Sequence, residues 1–269
     1  MNKALYLECY AGISGDMFIG AMLDLGVDAA FLTDSLKTLP LGGFDTKISR
    51  VQKMSLSACD FNVILEHDNH DHDMKYLYGK GDSAEHKHEH THEHHHAHTH
   101  RHLSDILQII DASKISDNAK ALARKIFTII AQAEAKAHGK NVEEVHFHEV
   151  GAVDSIVDIT AAAVCIDTLG ISEVICPSLT EGRGCVRCQH GLIPIPVPAV
   201  VNIAAAHKLK LHFTDHAGEF ITPTGAAIVS AVKTSDTLPD TFTIAKVGIG
   251  AGKRQYDIPN VLRAMLIEY

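Results

Sequence analysis

The sequence predicts an α/β or α+β fold, a layered mixed sheet with packed helices and a disordered His-rich surface insert, on three observations. Segments with strand-like and helix-like periodicity alternate along the chain. Of its 269 residues 46% are hydrophobic, which is ample for one large core or two small ones. Of its 20 histidines, 13 fall between His67 and His102, a stretch with almost nothing apolar to bury and so no means of offsetting its own ordering entropy.

The elements follow in order. Leu5 to Cys9 reads as a first strand, followed by the turn Ala11-Gly12-Ile13-Ser14-Gly15 and an amphipathic helix from Asp16 to Leu25 closed by Gly26. A helix from Asp28 to Leu39 and strands at Phe44 to Val51 and Leu56 to Glu66 lead into the His-rich insert. Beyond it come a helix around Ser104 to Asp111 and a longer one from Ser116 to His138. In the longer one Ala119, Leu122, Ile126, Ile129, Ala133 and Ala137 step by three or four residues, with Ser116 as N-cap and Gly139 at the end. A helix from about Ala152 to Leu169 and a strand around Val174 to Cys176 follow. Pro194, Pro196 and Pro198 then force an extended path on the loop Glu181 to Pro198. A helix at Ala199 to His207, a strand at Leu209 to Phe213, a helix opened by Thr222-Pro223-Thr224-Gly225, and strands at Phe242 to Ile249 and Val261 to Ile267 complete the chain. Residues 1–66 and 103–269 are expected to form the globular α/β part, as one or two subdomains, interrupted by the metal-binding insert 67–102.

Charge and composition exclude several functions. A net charge of −9 repels a phosphate backbone, so nucleic acid is not an expected partner. No run approaches the roughly 18 apolar residues of a membrane span, and Glu8 interrupts the N-terminus before a signal-like stretch of useful length. A cytoplasmic protein with no membrane partner is expected. Its six cysteines are scattered, as reduced thiols would be.

The insert carries His86, His88, His90, His92, His94, His95, His96, His98, His100 and His102, irregularly broken by Glu, Lys and Thr. Neutral imidazole suits borderline divalent ions such as nickel, zinc, copper and cobalt, so metal capture or buffering is expected over a solvated linker or a purification tag. The densest constellation is His146-Phe147-His148-Glu149-Val150-Gly151-Ala152-Val153-Asp154-Ser155-Ile156-Val157-Asp158. An extended His146–His148 segment would put both imidazoles on one side, and Asp154 and Asp158 stand one helical turn apart on one face. Like charges at that spacing need a cation or hydrogen-bond donors, especially on a helix that continues Ile159-Thr160-Ala161-Ala162-Ala163. A two-His, several-carboxylate metal or acid/base site is therefore expected, against the bland alternative of a solvated first turn complementing the helix dipole.

Gly12, Ser14, Gly15 and Asp16, between a strand and a helix, offer backbone N–H groups to a phosphate, or form a tight turn with Asp16 as N-cap. Thr222, Thr224 and Gly225 open a second helix in the same two senses. Cys185-Val186-Arg187-Cys188 has no second pair to complete a zinc ribbon, leaving a soft-ligand way-station or two thiols in a strand or turn. The run Gly248-Ile249-Gly250-Ala251-Gly252-Lys253-Arg254 would hold an acidic substrate or form a hairpin turn.

Gly12-Ile13-Ser14-Gly15-Asp16-Met17, the His-rich insert, the His146–Asp158 motif, His190-Gly191 with Pro194-Ile195-Pro196-Val197-Pro198-Ala199, Thr222-Pro223-Thr224-Gly225 and Pro259-Asn260-Val261-Leu262-Arg263 together resemble the LarC family, in order along the whole chain. The resemblance implies a lyase-type nickel chelatase. Nickel would be placed into pyridinium-3,5-bisthiocarboxylic acid mononucleotide, through two nickel–sulfur bonds and one nickel–carbon bond, to complete the nickel-pincer cofactor of lactate racemase or a similar apo-enzyme. It also implies consumption of CTP with Mg or Mn in a C-terminal LarC domain, which lies beyond Tyr269 and would act in cis or in trans. Glu8-Cys9-Tyr10-Ala11 stands where an Asp-Cys-Phe-Ser-like run is expected.

In that chemistry carbon metallation must release a ring proton to a base. His146, His148 or Glu149 would be that base, or ligands that hand nickel over, while Asp154 and Asp158 would tune the histidines or bind a second ion. The turn Gly12–Gly15 or the start Thr222–Gly225 would take the mononucleotide phosphate. The competing reading is a nickel metallochaperone or store with no catalysis of its own; a third is a metal-dependent phosphate-ester hydrolase.

Overall fold

The computed structural model describes residues 2–66, 101–145, 153–188 and 191–269. The expected His-rich insert, apart from Arg101 and His102, lies outside the described residues, as do His146, His148 and Glu149.

Strands β1 (Lys3–Glu8), β2 (Phe44–Lys53), β3 (Leu56–Leu65), β4 (Val174–Ile175), β9 (Thr243–Ala251) and β10 (Val261–Glu268) form a mixed sheet in the order β2-β3-β9-β10-β1-β4. Helices α1 (Gly15–Asp24), α2 (Ala29–Leu36), α3 (Leu103–Ala112), α4 (Asp117–His138), α5 (Val153–Leu169), α6 (Pro198–His207) and α7 (Pro223–Val232) surround the main core. Alternation along the strands decides which residues join it. Leu5, Leu7, Leu262 and Ala264 enter the helix-side core, whereas Ala4, Tyr6, Met265 and Ile267 form a smaller cluster on the other face with Ile175.

Helix α4 lies at the centre of the helical layer, against α3, α5, α6 and α7. The Ser116 hydroxyl accepts the Ala119 N–H, and Gly139 ends the helix in the left-handed conformation, as the sequence implies. Its apolar face is wider than expected: Ala123, Phe127 and Ile130 are buried as well, while Ala137 is exposed, because several neighbouring helices cover it rather than one.

The extended loop expected from Glu181 to Pro198 is corrected by the structure. Its start belongs to β5 (Leu179–Arg183), which pairs in parallel with β8 (Leu211–Ala217), and its middle is the hairpin β6 (Cys185–Cys188) and β7 (Gly191–Pro194). β5, β6 and β7 are only four or five residues long and are separated or interrupted by Gly and Pro, so alternation does not reveal them. Parallel contacts Cys9–Leu179 and Ile13–Ile221 tie this small sheet to the chain leaving β1.

The Gly248–Arg254 run divides: Gly252-Lys253-Arg254 open the connection between the antiparallel strands β9 and β10, as the hairpin reading implies, whereas its first half is strand. Gly248 and Gly250 lie in β9, where α1 rests directly on them: a Cβ added at Gly250 would be 1.8 Å from Met17 O, and one at Gly248 2.2 Å from Ala21 O. Helix α1 answers with Gly20, whose added Cβ would be 2.5 Å from Cys59 O on β3. Helix and strand backbones therefore touch, and side chains at these positions would force them apart. Beyond Cys59–Gly250, the one registered pair joining β3 to β9, Lys253 Nζ reaches between the strands to donate to Phe61 O at 2.8 Å.

Gly250→Ala is predicted to lower stability by about 3 kcal/mol or more, since no low-energy rearrangement clears a backbone carbonyl. Gly42→Ala, at a position where an added Cβ meets nothing within 4 Å, should stay within about 0.5 kcal/mol. Urea unfolding of both variants checks this.

Candidate functional site

The site begins where the chain leaves β1. Gly12 turns it with φ +77°, its N–H donating to Cys9 O at 3.2 Å, and an added Cβ would be 2.1 Å from Phe220 O. Ile13 N–H donates to Phe220 O at 3.0 Å and Thr222 N–H donates to Ile13 O at 3.1 Å. The two glycine-containing motifs, more than two hundred residues apart in sequence, are thus one packed unit. Gly225 lies against the same turn, an added Cβ being 2.2 Å from Ile13 O.

Of the two helix starts only that of α7 has a side-chain cap, and α1 departs from the expected N-cap. Its N-cap is Ser14 rather than Asp16, and the Ser14 hydroxyl donates to the Asp16 carboxylate. At α7 the Thr222 hydroxyl accepts Gly225 N–H at 3.1 Å, realising the cap reading of that motif. A Cβ added at Gly15 would lie 3.1 Å from Asp158 Oδ2 and 3.2 Å from Thr224 Cγ2. The beginnings of α1, α5 and α7 therefore meet at Gly15. Helix starts present N–H groups that have no partner within their own helix.

Burial governs the charges here. It raises Asp158 well above the ordinary carboxylate value, with Asp16 and then Asp154 adding to the effect and Lys253 opposing it. Asp16 is raised by burial too, against the Ser14 hydroxyl and Lys253. Carboxyls biased toward their neutral form repel an incoming anion less than ionised ones would. Lys253 is ion-paired with Asp60. Arg254 pairs with Glu219 at 2.6 Å and donates to its carbonyl at 3.0 Å, so both cations of that run are already engaged. Desolvation lowers Lys53, whose Nζ donates to Arg254 O at 3.3 Å.

Of the other expected residues, Asp154 and Asp158 are placed on α5 as the sequence implies. His146, His148 and Glu149, and His86, His88, His90, His92, His94, His95, His96, His98 and His100, lie outside the described residues. His102 belongs to the fold: it is the N-cap of α3, and its backbone N–H donates to Asp105 Oδ2 at 2.9 Å. Among the described residues no three His, Cys, Asp or Glu side chains are grouped to hold a metal ion. Cys185 and Cys188 sit three apart in a strand, a spacing that sends side chains to opposite faces, and no disulfide joins any of the six cysteines.

The sequence reading missed Glu181. Its Oε1 accepts N–H bonds from Phe220 at 2.7 Å, Gly182 at 2.9 Å and Ile221 at 3.3 Å, fixing the segment that brackets Ile13. Its Oε2 is buried with no hydrogen-bond partner, and burial, outweighing the three N–H donors, pushes the carboxyl up to about 7. The available signal was a lone acid within the otherwise uncharged run Leu179-Thr180-Glu181-Gly182.

A carboxyl kept neutral in the folded chain but free to ionise when unfolded makes stability fall as pH rises. The loss begins near the ordinary value of 4.5 and is complete above about 7, because only the folded state holds the proton in that window. Glu181→Gln, isosteric with the acid, removes this term. Its unfolding free energy relative to the unsubstituted chain should rise across the window by at most about 3 kcal/mol, read by urea unfolding at a series of pH values. A pH-independent difference would contradict the buried acid.

The family described as "Nickel insertion protein" matches residues 5–269. A protein of Alkaliphilus metalliredigens (strain QYMF) is 53% identical over 269 residues, covering 100% of this chain and 61% of the relative. One from Clostridium acetobutylicum is 45% identical over 271 residues, covering 99% and 64%, and one from Acetivibrio thermocellus 42% over 265 residues, covering 98% and 60%. All three are named pyridinium-3,5-bisthiocarboxylic acid mononucleotide nickel insertion protein. The chain spans 60–64% of the length of these relatives. No solved structure matches it. With the match running through the Gly12 turn, α5 and the Thr222 helix start, the chain belongs to the nickel insertion protein family.

Proposed function

We propose that this chain holds pyridinium-3,5-bisthiocarboxylic acid mononucleotide and delivers nickel to it, as the nickel-handling part of a lyase-type chelatase. The observation that carries the reading is the meeting of α1, α5 and α7 at Gly15, with Asp158 Oδ2 3.1 Å and Thr224 Cγ2 3.2 Å from its Cβ position. Such a substrate makes three demands: an anchor for its phosphate, a path for the metal, and a base for the ring proton lost when carbon bonds nickel. First-turn N–H groups of α1 and α7 suit the phosphate. Asp154 and Asp158, with His146, His148 and Glu149 just before them in sequence, supply ligands and bases of the right type for the other two.

The His-rich segment would collect nickel and pass it on by ligand exchange between imidazoles, which must be neutral to coordinate. CTP with Mg or Mn would act in the portion of the family protein beyond this match, in cis or in trans. The product would serve lactate racemase or a similar apo-enzyme in the cytoplasm. The match to proteins named for nickel insertion supports this reading over a store without catalysis.

Asp154→Asn and His148→Ala, each assayed with the remaining portion of a relative supplied, should abolish nickel incorporation while leaving the unfolding midpoint within a few degrees. Incorporation near the unsubstituted level in both would return the cluster to a structural role. Deleting residues 67–100, which spares the His102 cap, should lower bound nickel measured by equilibrium dialysis yet retain turnover at ample free nickel. Loss of all turnover there would favour the store.

A further inference from the structure

A second imidazole system stands beside this site. His216 is the penultimate residue of β8, at the carboxyl end of a parallel strand, as the Gly12 turn is for β1. Loops at such strand ends are where open parallel sheets present ligands. The His216 Nδ1 lies 2.9 Å from both oxygens of Asp257, a residue of the connection between β9 and β10. A carboxylate only accepts, so Nδ1 carries the hydrogen of this bond, and Nε2 is the nitrogen left to take up a proton when the ring is neutral.

The ring is held in a second way, stacked at 24° on Phe220 with centroids 6.5 Å apart. Phe220 is itself immobilised: Tyr256 packs on its ring at 4.6 Å, Glu181 accepts its N–H, and its carbonyl accepts Ile13 N–H. A Cβ added at Gly12 would be 2.6 Å from Phe220 Cβ, so one aromatic ring separates His216 from the glycine turn. The His216 side chain is 36% exposed, open to a bound molecule, and the Asp257 carboxylate that orients it is 70% exposed, while the buried Phe220 supports its plane from within the fold. An imidazole oriented by a carboxylate through the far nitrogen is the usual construction of a general base.

We propose that His216, oriented by Asp257, accepts the ring proton when nickel bonds to carbon. This rests on the function proposed above. In that step the ring C–H bond breaks, its electron pair forms the nickel–carbon bond, and the proton passes to Nε2. His146, His148 and Glu149 would then be free to act on the metal.

The test measures nickel incorporation by mass spectrometry for the chain with the remaining family portion, CTP, magnesium and the mononucleotide, with either hydrogen or deuterium on the ring carbon. His216→Ala is expected to slow incorporation by about 100-fold or more. Its hydrogen/deuterium rate ratio should exceed that of the unsubstituted chain, because proton transfer becomes limiting. Asp257→Asn, which keeps an acceptor but removes the charge that stabilises the imidazolium, should be slowed less and show a smaller rise. A structural role would slow the reaction through binding or folding with an unchanged isotope ratio, and that result would overturn the proposal. So would unslowed incorporation by His216→Ala, with the nickel-insertion reading left standing. No incorporation by the unsubstituted chain would overturn both.

Discussion

The site depends on one steric constraint, the contact between the backbone of α1 and that of β9. With Gly248 and Gly250 beneath it and Gly20 facing β3, α1 cannot slide or lift without losing contacts on two strands at once. This seating sets where Gly15 and Asp16 lie. It puts Asp16 within the influence of Lys253, which follows β9, and brings Gly15 against α5 and α7. Glycine appears here because a strand has to come close to a helix, and the positions follow the two-residue alternation of the strand face.

A second tie runs through Glu181. By accepting three backbone N–H groups it holds Phe220 and Ile221 in line with Ile13, so the loops leaving β1, β5 and β8 form one structure. Its buried carboxyl is disfavoured in the ionised form, as are those of Asp16 and Asp158. Lys253 and Arg254 are held in ion pairs around the same region. The arrangement concentrates acidic groups in a place of low dielectric, where each charge is felt strongly by its neighbours.

Much of the fold was legible because its signals are local. The Ser116 cap, the apolar steps of α4 and Gly139 lie within one helix, as do Thr222 and Gly225 at the start of α7. The i, i+4 acids of α5 were legible for the same reason. What lay beyond reading was long-range. Asp158 is influenced by Asp16 and Lys253, both about a hundred residues or more away, and no periodicity announces that. The glycines of β9 look like a turn until α1 is placed on them, since a strand that must approach a helix and a flexible loop both choose glycine. Strands β5 to β7 were hidden by their shortness and by the glycines and prolines within or beside them, and Glu181 by the fact that burial is a property of the folded chain.

On the proposed function, the Gly12 turn, the Thr222 helix start and the first turns of α5 act as one binding surface. Amide hydrogen exchange with and without the bisthiocarboxylate mononucleotide tests it most directly. Exchange is expected to slow together at 13–17, 222–226 and 154–158, with strands β2 and β3 unchanged. Protection confined to one of these segments, or found elsewhere with all three unaffected, would contradict it.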